Sequence, residues 1–287
     1  MSTTLPHVAV RLRPMTGADL IAAHALSQKL KWPHRLEDWQ FMHSVSKGFV
    51  AEDEQGIFAT AFCCLQGDFS TIGLVIVADE RQGQGIGRKM MNLALEASAG
   101  ITATLAATAA GTPLYVSQGF VAYNQLHQYQ GTVPAGVVTS ELEPGVTLRL
   151  LDSHDHAALL ALASAATGMD RQPVMSGILS IGEVICGVEQ DGELIGFAVL
   201  RPFGRGSCVG PVIAETSRQA RAMISSLLQG AAGCFVRIDV TQNSGLGGWL
   251  ETFGFTDVGA AVQMSRGPAP KGSSASEQFA VVTQALG

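Results

Sequence analysis

Apolar runs of strand length alternate along this chain with stretches of helical periodicity. Val8 to Arg13 predicts a first strand, and Thr16 to Asp19 leads into a helix whose apolar positions include Leu20, Ile21, Ala23 and Leu26. Pro33 then punctuates two helical pieces within Lys31 to Trp39. Phe49 to Gly56 and Ile57 to Leu65 predict a hairpin around Glu54-Gln55-Gly56, and Thr71 to Ala78 predicts a further strand. A helix over Lys89 to Leu95, a strand over Ile101 to Ala107, a short helix over Thr112 to Gly119 and a closing strand over Phe120 to Tyr129 follow.

Past a junction with proline and glycine, Gln130 to Gly145, the order of elements begins again. Gly56 and Gly192 end matching hairpins 136 residues apart. Gly73 in Ile-Gly-Leu-Val-Ile-Val matches Gly210 in Val-Gly-Pro-Val-Ile-Ala at 137, and Gly119-Phe120 matches Gly254-Phe255 at 135. Offsets that agree this closely predict two copies of one fold, residues 1–135 and 136–287. Gly267 to Ala275 has the composition of a flexible linker, and Gln278 to Val282 a pattern that predicts docking as a last strand or short helix.

Composition narrows the function classes. The 287 residues are 47% hydrophobic and 15% charged, enough to bury a large core. A net charge of −6 with no cluster of lysines or arginines argues against nucleic acid or an anionic membrane as partner. Met1 to Ala9 lacks a basic start and an apolar signal core, and no uninterrupted apolar run is long enough to span a membrane, which predicts a cytoplasmic location. Cys63, Cys64, Cys186, Cys208 and Cys234 form no Cys-x-x-Cys pair and fall mostly in apolar runs, as buried reduced thiols do. His154 and His156, two apart at a helix start, point to different faces, and a solvated cap accounts for them better than a metal site. No metal is expected.

The candidate chemistry lies after the Thr71 to Ala78 strand, in Asp79-Glu80-Arg81-Gln82-Gly83-Gln84-Gly85-Ile86-Gly87-Arg88. Glycines at every second position before a helix leave amide N–H groups unshielded, so an anion can sit on the helix N-terminus. The spacing is neither Gly-x-Gly-x-x-Gly nor that of a Walker loop. Gln82-x-x-Gly85-x-Gly87 with flanking Arg81 and Arg88 closely resembles the pyrophosphate loop of the GNAT superfamily of acyl-CoA-dependent N-acyltransferases. Leu114-Tyr115-x-x-x-Gly119-Phe120 resembles a second signature of that superfamily, in order and at a normal distance. The tandem arrangement, with Trp32-Pro33-His34-Arg35-x-x-x-Trp39, looks like a subgroup carrying an extra C-terminal acetyltransferase-like domain.

The resemblance implies an α/β (α+β) architecture: two tandem GNAT-like folds, each with a mixed central sheet flanked by helices. It implies acetyl-CoA as cosubstrate and direct acetyl transfer to a primary amine of a small molecule or amino-acid-like acceptor. Gln82, Gly83, Gln84, Gly85, Ile86, Gly87 and Arg88 would hold the pyrophosphate, with charge from Arg81 and Arg88, and Leu74, Val75, Ile76 and Val77 would pair with pantetheine. Tyr115 matches the position whose phenol faces the thioester sulfur and protonates the departing thiolate. Trp32, His34, Arg35 and Trp39 lie where GNAT proteins place a lid over the acceptor; packing on the core accounts for each of them equally well. Glu52, Asp68, Asp79, Glu80 and a water relay are all open as base. Arg201 and Arg205 read as surface arginines in a turn that could also bind a carboxylate.

At an offset of 137, Gly83, Gly85 and Gly87 meet Ala220, Ala222 and Ile224, and Leu250, four residues before Gly254, stands where Tyr115 stands before Gly119. The second copy is therefore expected to bind no acyl-CoA and to complete the substrate pocket. A non-catalytic acyl-CoA sensor or scaffold and a protein-lysine acetyltransferase are the rival readings. Retention of Tyr115 beside an intact loop favours catalysis, because a sensor needs no phenol.

Overall fold

A computed structural model describes residues 10–273 and 275–287. Val8 and Ala9 of the expected first strand lie outside the described residues, and the strand begins as β1 (Arg11–Pro14). The first half continues with α1 (Leu20–Lys29), α2 (Leu36–Val45), β2 (Lys47–Asp53), β3 (Gly56–Gln66), β4 (Phe69–Val77), α3 (Ile86–Ala97), β5 (Thr102–Ala107), α4 (Thr112–Val116) and β6 (Val121–Thr132). The second half repeats that order as β7 (Val146–Leu150), α5 (His156–Thr167), α6 (Gln172–Ile181), β8 (Val184–Gln190), β9 (Glu193–Phe203), β10 (Gly206–Ala214), α7 (Ser217–Gln229), β11 (Phe235–Thr241), α8 (Gly247–Glu251) and β12 (Thr256–Arg266), then adds β13 (Glu277–Ala280).

All the described strands join one mixed 13-stranded sheet in the order β1-β2-β3-β4-β5-β12-β6-β11-β13-β10-β9-β8-β7. Among the described strands, β4 with β5 and β10 with β11 pair in parallel and the other pairings are antiparallel. The halves exchange their closing strands: β12 lies between β5 and β6, and β6 pairs with β11. The repeat seen in chain order is thus not a division of the sheet. One buried apolar cluster combines Trp39, Phe62, Ile72 and Met90 with Leu159, Ile178, Phe197 and Val282 from the other half. α3 packs across β2, β3 and β4, α7 across β8, β9 and β10, and α2 meets its counterpart α6.

The tail departs from its composition. Ser273 donates from its backbone N to the Ala165 carbonyl at 2.8 Å, so the glycine- and proline-rich segment docks on α5 and is not a free spacer. Beyond it β13 enters the gap between β10 and β11, whose parallel pairing reaches only Cys208↔Arg237. From Val281 to Gly287 the chain crosses to the first half. There Gln66 Nε2 donates to the Leu286 carbonyl at 3.2 Å, and the buried Arg171 guanidinium of the second half donates to Gln66 Oε1 at 2.6 Å and to the Leu286 and Gly287 carbonyls at 2.8 and 2.6 Å. Burial lowers the Arg171 pKa to about 10. Four of the five cysteines are buried as expected, whereas Cys234 is exposed; all five are free thiols.

Candidate active site

The first candidate element is a gap in the sheet. β4 and β5 pair from Phe69↔Thr102 to Ile72↔Leu105 and then diverge, so Leu74, Val75, Ile76 and Val77 have no strand partner on that side. A register shift between β3 and β4 marks the same point. Leu74 adopts φ 47°, and its carbonyl accepts from Thr60 Oγ1 at 2.8 Å. The bulge turns β4 away from β5 and leaves its main chain open to an extended ligand.

The loop follows directly. Asp79–Arg81 makes one 3-10 turn, Gln82 is extended, and Gly83 and Gly85 take φ 74° and 75° before α3 begins. That left-handed backbone favours glycine at both positions, and an added Cβ would meet nothing within 4 Å. Gly87 answers to packing instead, because its Cβ would stand 3.2 Å from Leu114 Cδ2. Among the described residues no backbone N–H from Gly83 to Arg88 donates to a protein acceptor. Such a run of amides at the start of a three-turn helix forms an anion cradle.

The two arginines separate. Arg81 Nη2 bonds the buried Asp53 carboxylate and its guanidinium lies 5.2 Å over the Phe58 ring, so Arg81 braces the loop from beneath. Arg88 is exposed, and among the described residues its side chain bonds Ser117 Oγ alone, at 2.8 Å, so its charge has no acidic partner. The Gln82 amide folds back to the Val77 carbonyl and Asp79 Oδ1 at 3.2 and 2.9 Å.

Tyr115 sits on α4 behind the end of β5. It is buried, with its ring 6.2 Å from Phe120 and its hydroxyl 3.2 Å from where a Cβ on Gly111 would stand. The hydroxyl makes no hydrogen bond among the described residues, and burial pushes its pKa up to about 12. The phenol therefore stays protonated at neutral pH, with its hydroxyl free to donate a hydrogen bond, and it does not line the cavity beside the β4/β5 gap.

Beside the β4/β5 gap a cavity of about 510 Å³ opens at the seam between the halves. Leu74, Ala106 and Thr108 form one wall, Trp32, His34 and Arg35 another, and Arg201, Phe203 and Arg237 of the second half a third. Gln284 and Ala285 of the tail complete it. Burial and nearby Arg237 lower the His34 pKa to about 4, which keeps the imidazole neutral, and its Nδ1 has no partner among the described residues. Asp38 ties this wall together. Its carboxylate accepts from Arg35 Nη2 at 2.9 Å and from the Gly204 backbone N at 3.0 Å.

Trp39 is set apart from its expected companions. It is fully buried, edge-on to Phe62 at 5.6 Å, with Nε1 donating to Ser27 Oγ at 3.2 Å. It is buried on α2 with Asp38 and Met42, and unlike those two it packs into the core and does not line the cavity. Arg201 is corrected in the opposite direction: it is 1% exposed and lies in the cavity wall, not in a surface turn. Arg237 was not foreseen. Its signal in the sequence is a charged pair, Arg237 and Asp239, inside the apolar run Phe235 to Val240.

The second half has no equivalent cradle. Only Glu215 and Thr216 separate β10 from α7, whereas Ala78 to Gly85 separates β4 from α3. The loop is deleted, so Ala220, Ala222 and Ile224 lie inside α7 and are not substituted loop positions. Thr216 Oγ1 caps the helix by accepting from Gln219 N at 3.2 Å and donates to Glu143 at 2.9 Å. Leu250 lies buried on α8 where α4 carries Tyr115.

Comparison with known proteins agrees with this geometry. Acetyltransferase (GNAT) domain families match residues 44–122 and residues 159–280. The uncharacterized N-acetyltransferase YitH of Bacillus subtilis is 33% identical over 230 residues, 78% of each chain. Among solved structures, one from Pyrococcus horikoshii carrying an acetyltransferase assignment superposes with a TM-score of 0.79 at 17% identity, over 100% of this chain and 99% of that one. A tandem GNAT protein from the clavulanic acid biosynthesis pathway superposes at 0.61 with 12% identity, over 91% and 100%. The chain belongs to the GNAT acetyltransferase family: it is an acyltransferase with two GNAT domains in tandem. GNAT domains generally use acetyl-CoA and act on amine acceptors. Among the described residues no helix is long and apolar enough to cross a membrane.

Proposed function

We propose that this protein transfers an acetyl group from acetyl-CoA directly to the primary amine of a small molecule, using the first copy, residues 1–135, as the catalytic unit. The observation that carries the reading is the run of unpartnered amides from Gly83 to Arg88, directly continuous with the open edge of β4 at Leu74 to Val77. The cradle would hold the pyrophosphate and the β4 edge the pantetheine amides, with Arg88 adding charge. This alignment directs the thioester toward the cavity at Leu74 and Ala106.

Two proton movements complete the transfer. The attacking amine must be neutral, and the leaving thiolate needs a proton. Tyr115, neutral and without a competing partner, supplies the second. The neutral His34 can accept a hydrogen bond from the amine but does not hold its proton, which leaves to solvent. Residues 136–287 take no acyl-CoA and complete the acceptor pocket through Arg201, Phe203 and Arg237.

Isothermal calorimetry with acetyl-CoA, followed by a thiol-release assay over a panel of primary amines, tests the reading. One equivalent bound per chain and amine-dependent thiol release are expected. Absence of acetyl-CoA binding overturns it, and tight binding without release to any amine favours a sensor.

A further inference from the structure

Resting on that assignment of the cavity as the acceptor site, we propose that the acceptor amine also carries a carboxylate, and that Arg201 binds it. The argument begins with charge balance. Arg35 pairs with Asp38 at 2.9 Å and Arg237 with Asp239 at 2.7 Å, so both guanidiniums are neutralised within the protein. Arg201 has no acidic partner among the described residues, although it is 1% exposed. A buried guanidinium without a counter-charge is costly, and proteins retain one where a ligand supplies the anion.

The hydrogen bonds of Arg201 are also incomplete. Nη2 donates to the Val282 carbonyl at 2.6 Å and reaches Cys208 Sγ at 3.8 Å. Among the described residues Nε is buried with no acceptor, and Nη1 donates to none. The guanidinium lies 5.1 Å from the Phe203 ring centroid, and Arg237 lies 5.4 Å from the same ring. Its plane is thus held by an aromatic face and by the tail, with donors left over for a planar anion. The bond to Val282 explains why an arginine is tolerated there. It does not explain the unpaired charge or the idle Nε.

Cavity shape defines the rest of the ligand. The volume of about 510 Å³ suits a small molecule, and Trp32, Phe41 and Met42 supply apolar wall. Leu74 and Ala106 at the β4/β5 opening line the same cavity as Arg201, so the structure selects an amino-acid-type acceptor with amine and carboxylate on one compact frame. Specificity then comes from the half of the molecule that lacks a cofactor cradle.

The test compares matched acceptors, each an amino acid with its primary amide and its decarboxylated amine, in the thiol-release assay. Wild type is expected to favour the carboxylate by roughly a hundredfold in kcat/KM, mainly through KM. R201Q should erase that preference while calorimetry shows acetyl-CoA affinity unaltered, and R201K should restore part of it. Equal use of the three members by wild type, or turnover confined to amines without a carboxylate, overturns the proposal and leaves acetyl transfer standing. So does acetyl-CoA binding with no turnover of any carboxylated amine. If R201Q does not fold, the wild-type comparison alone decides. Failure to bind acetyl-CoA at all overturns the broader functional reading instead.

Discussion

Gly73 of β4 lies directly against Ala285 of the tail: a Cβ on Gly73 would stand 2.5 Å from the Ala285 Cβ and 2.9 Å from its Cα and carbonyl oxygen. The segment that fills the gap between β10 and β11 therefore goes on to touch the lip of the open gap between β4 and β5. One stretch of chain closes the slot in the second half and borders it in the first. Gly73→Ala should cost about 1–3 kcal/mol by overpacking, read as a lowered Tm by calorimetry. Adding Ala285→Gly should recover only part of this, because two of the three close contacts are to backbone. A Gly73→Ala protein with unchanged Tm would show that the tail is displaced easily.

Gly85→Val should weaken acetyl-CoA binding by about tenfold or more. It forces a β-branched side chain into left-handed backbone at the cradle, at roughly 1–3 kcal/mol of strain. Ala222→Gly, on the buried face of α7, should leave the calorimetric stoichiometry at one, because no loop exists there to restore. A second equivalent bound by wild type would contradict the assignment of one cradle per chain.

Tyr115→Phe should lower kcat by about a hundredfold with little change in acetyl-CoA affinity. The pH profile carries the mechanism. A phenol with its pKa near 12 stays protonated through neutral and mildly alkaline solution, so it imposes no falling limb there. kcat/KM should rise with pH as the acceptor amine loses its proton, and the rise should continue to about pH 10. A decline beginning near pH 8 would require a different acid.

His34 sets a stability slope. Its pKa is about 4 in the folded chain against an ordinary 6.5, so between these values the unfolded chain binds more protons. Stability from the neutral imidazole is therefore present above 6.5 and is lost as pH falls toward 4. Tm measured across this window should fall less steeply for His34→Asn than for wild type. Parallel slopes would place His34 in contact with solvent.

The loop glycines, Tyr115 and the two-copy offset were legible because each is a local pattern. Alternating glycines before a helix and a phenol four residues before Gly119 show in short windows of sequence, and glycine landmarks that recur at offsets of 135 to 137 residues show on comparing two such windows. The lid was legible only in part. Trp32, His34, Arg35 and Trp39 read alike along the chain, and the three-dimensional course of α2 sends Trp39 inward while the others reach the cavity.

Residue order by itself thus determined the element sequence, the family and the loss of the phosphate loop from the second half. Tertiary structure alone decided that β12 and β6 change places, that β13 fills its own half's slot, and that Arg201 is a buried, unpaired cation in the cavity. The physical reason is range. Backbone propensity and amphipathic period act over a few residues, whereas strand exchange and the burial of Arg201 against Val282 depend on contacts between segments 81 residues or more apart.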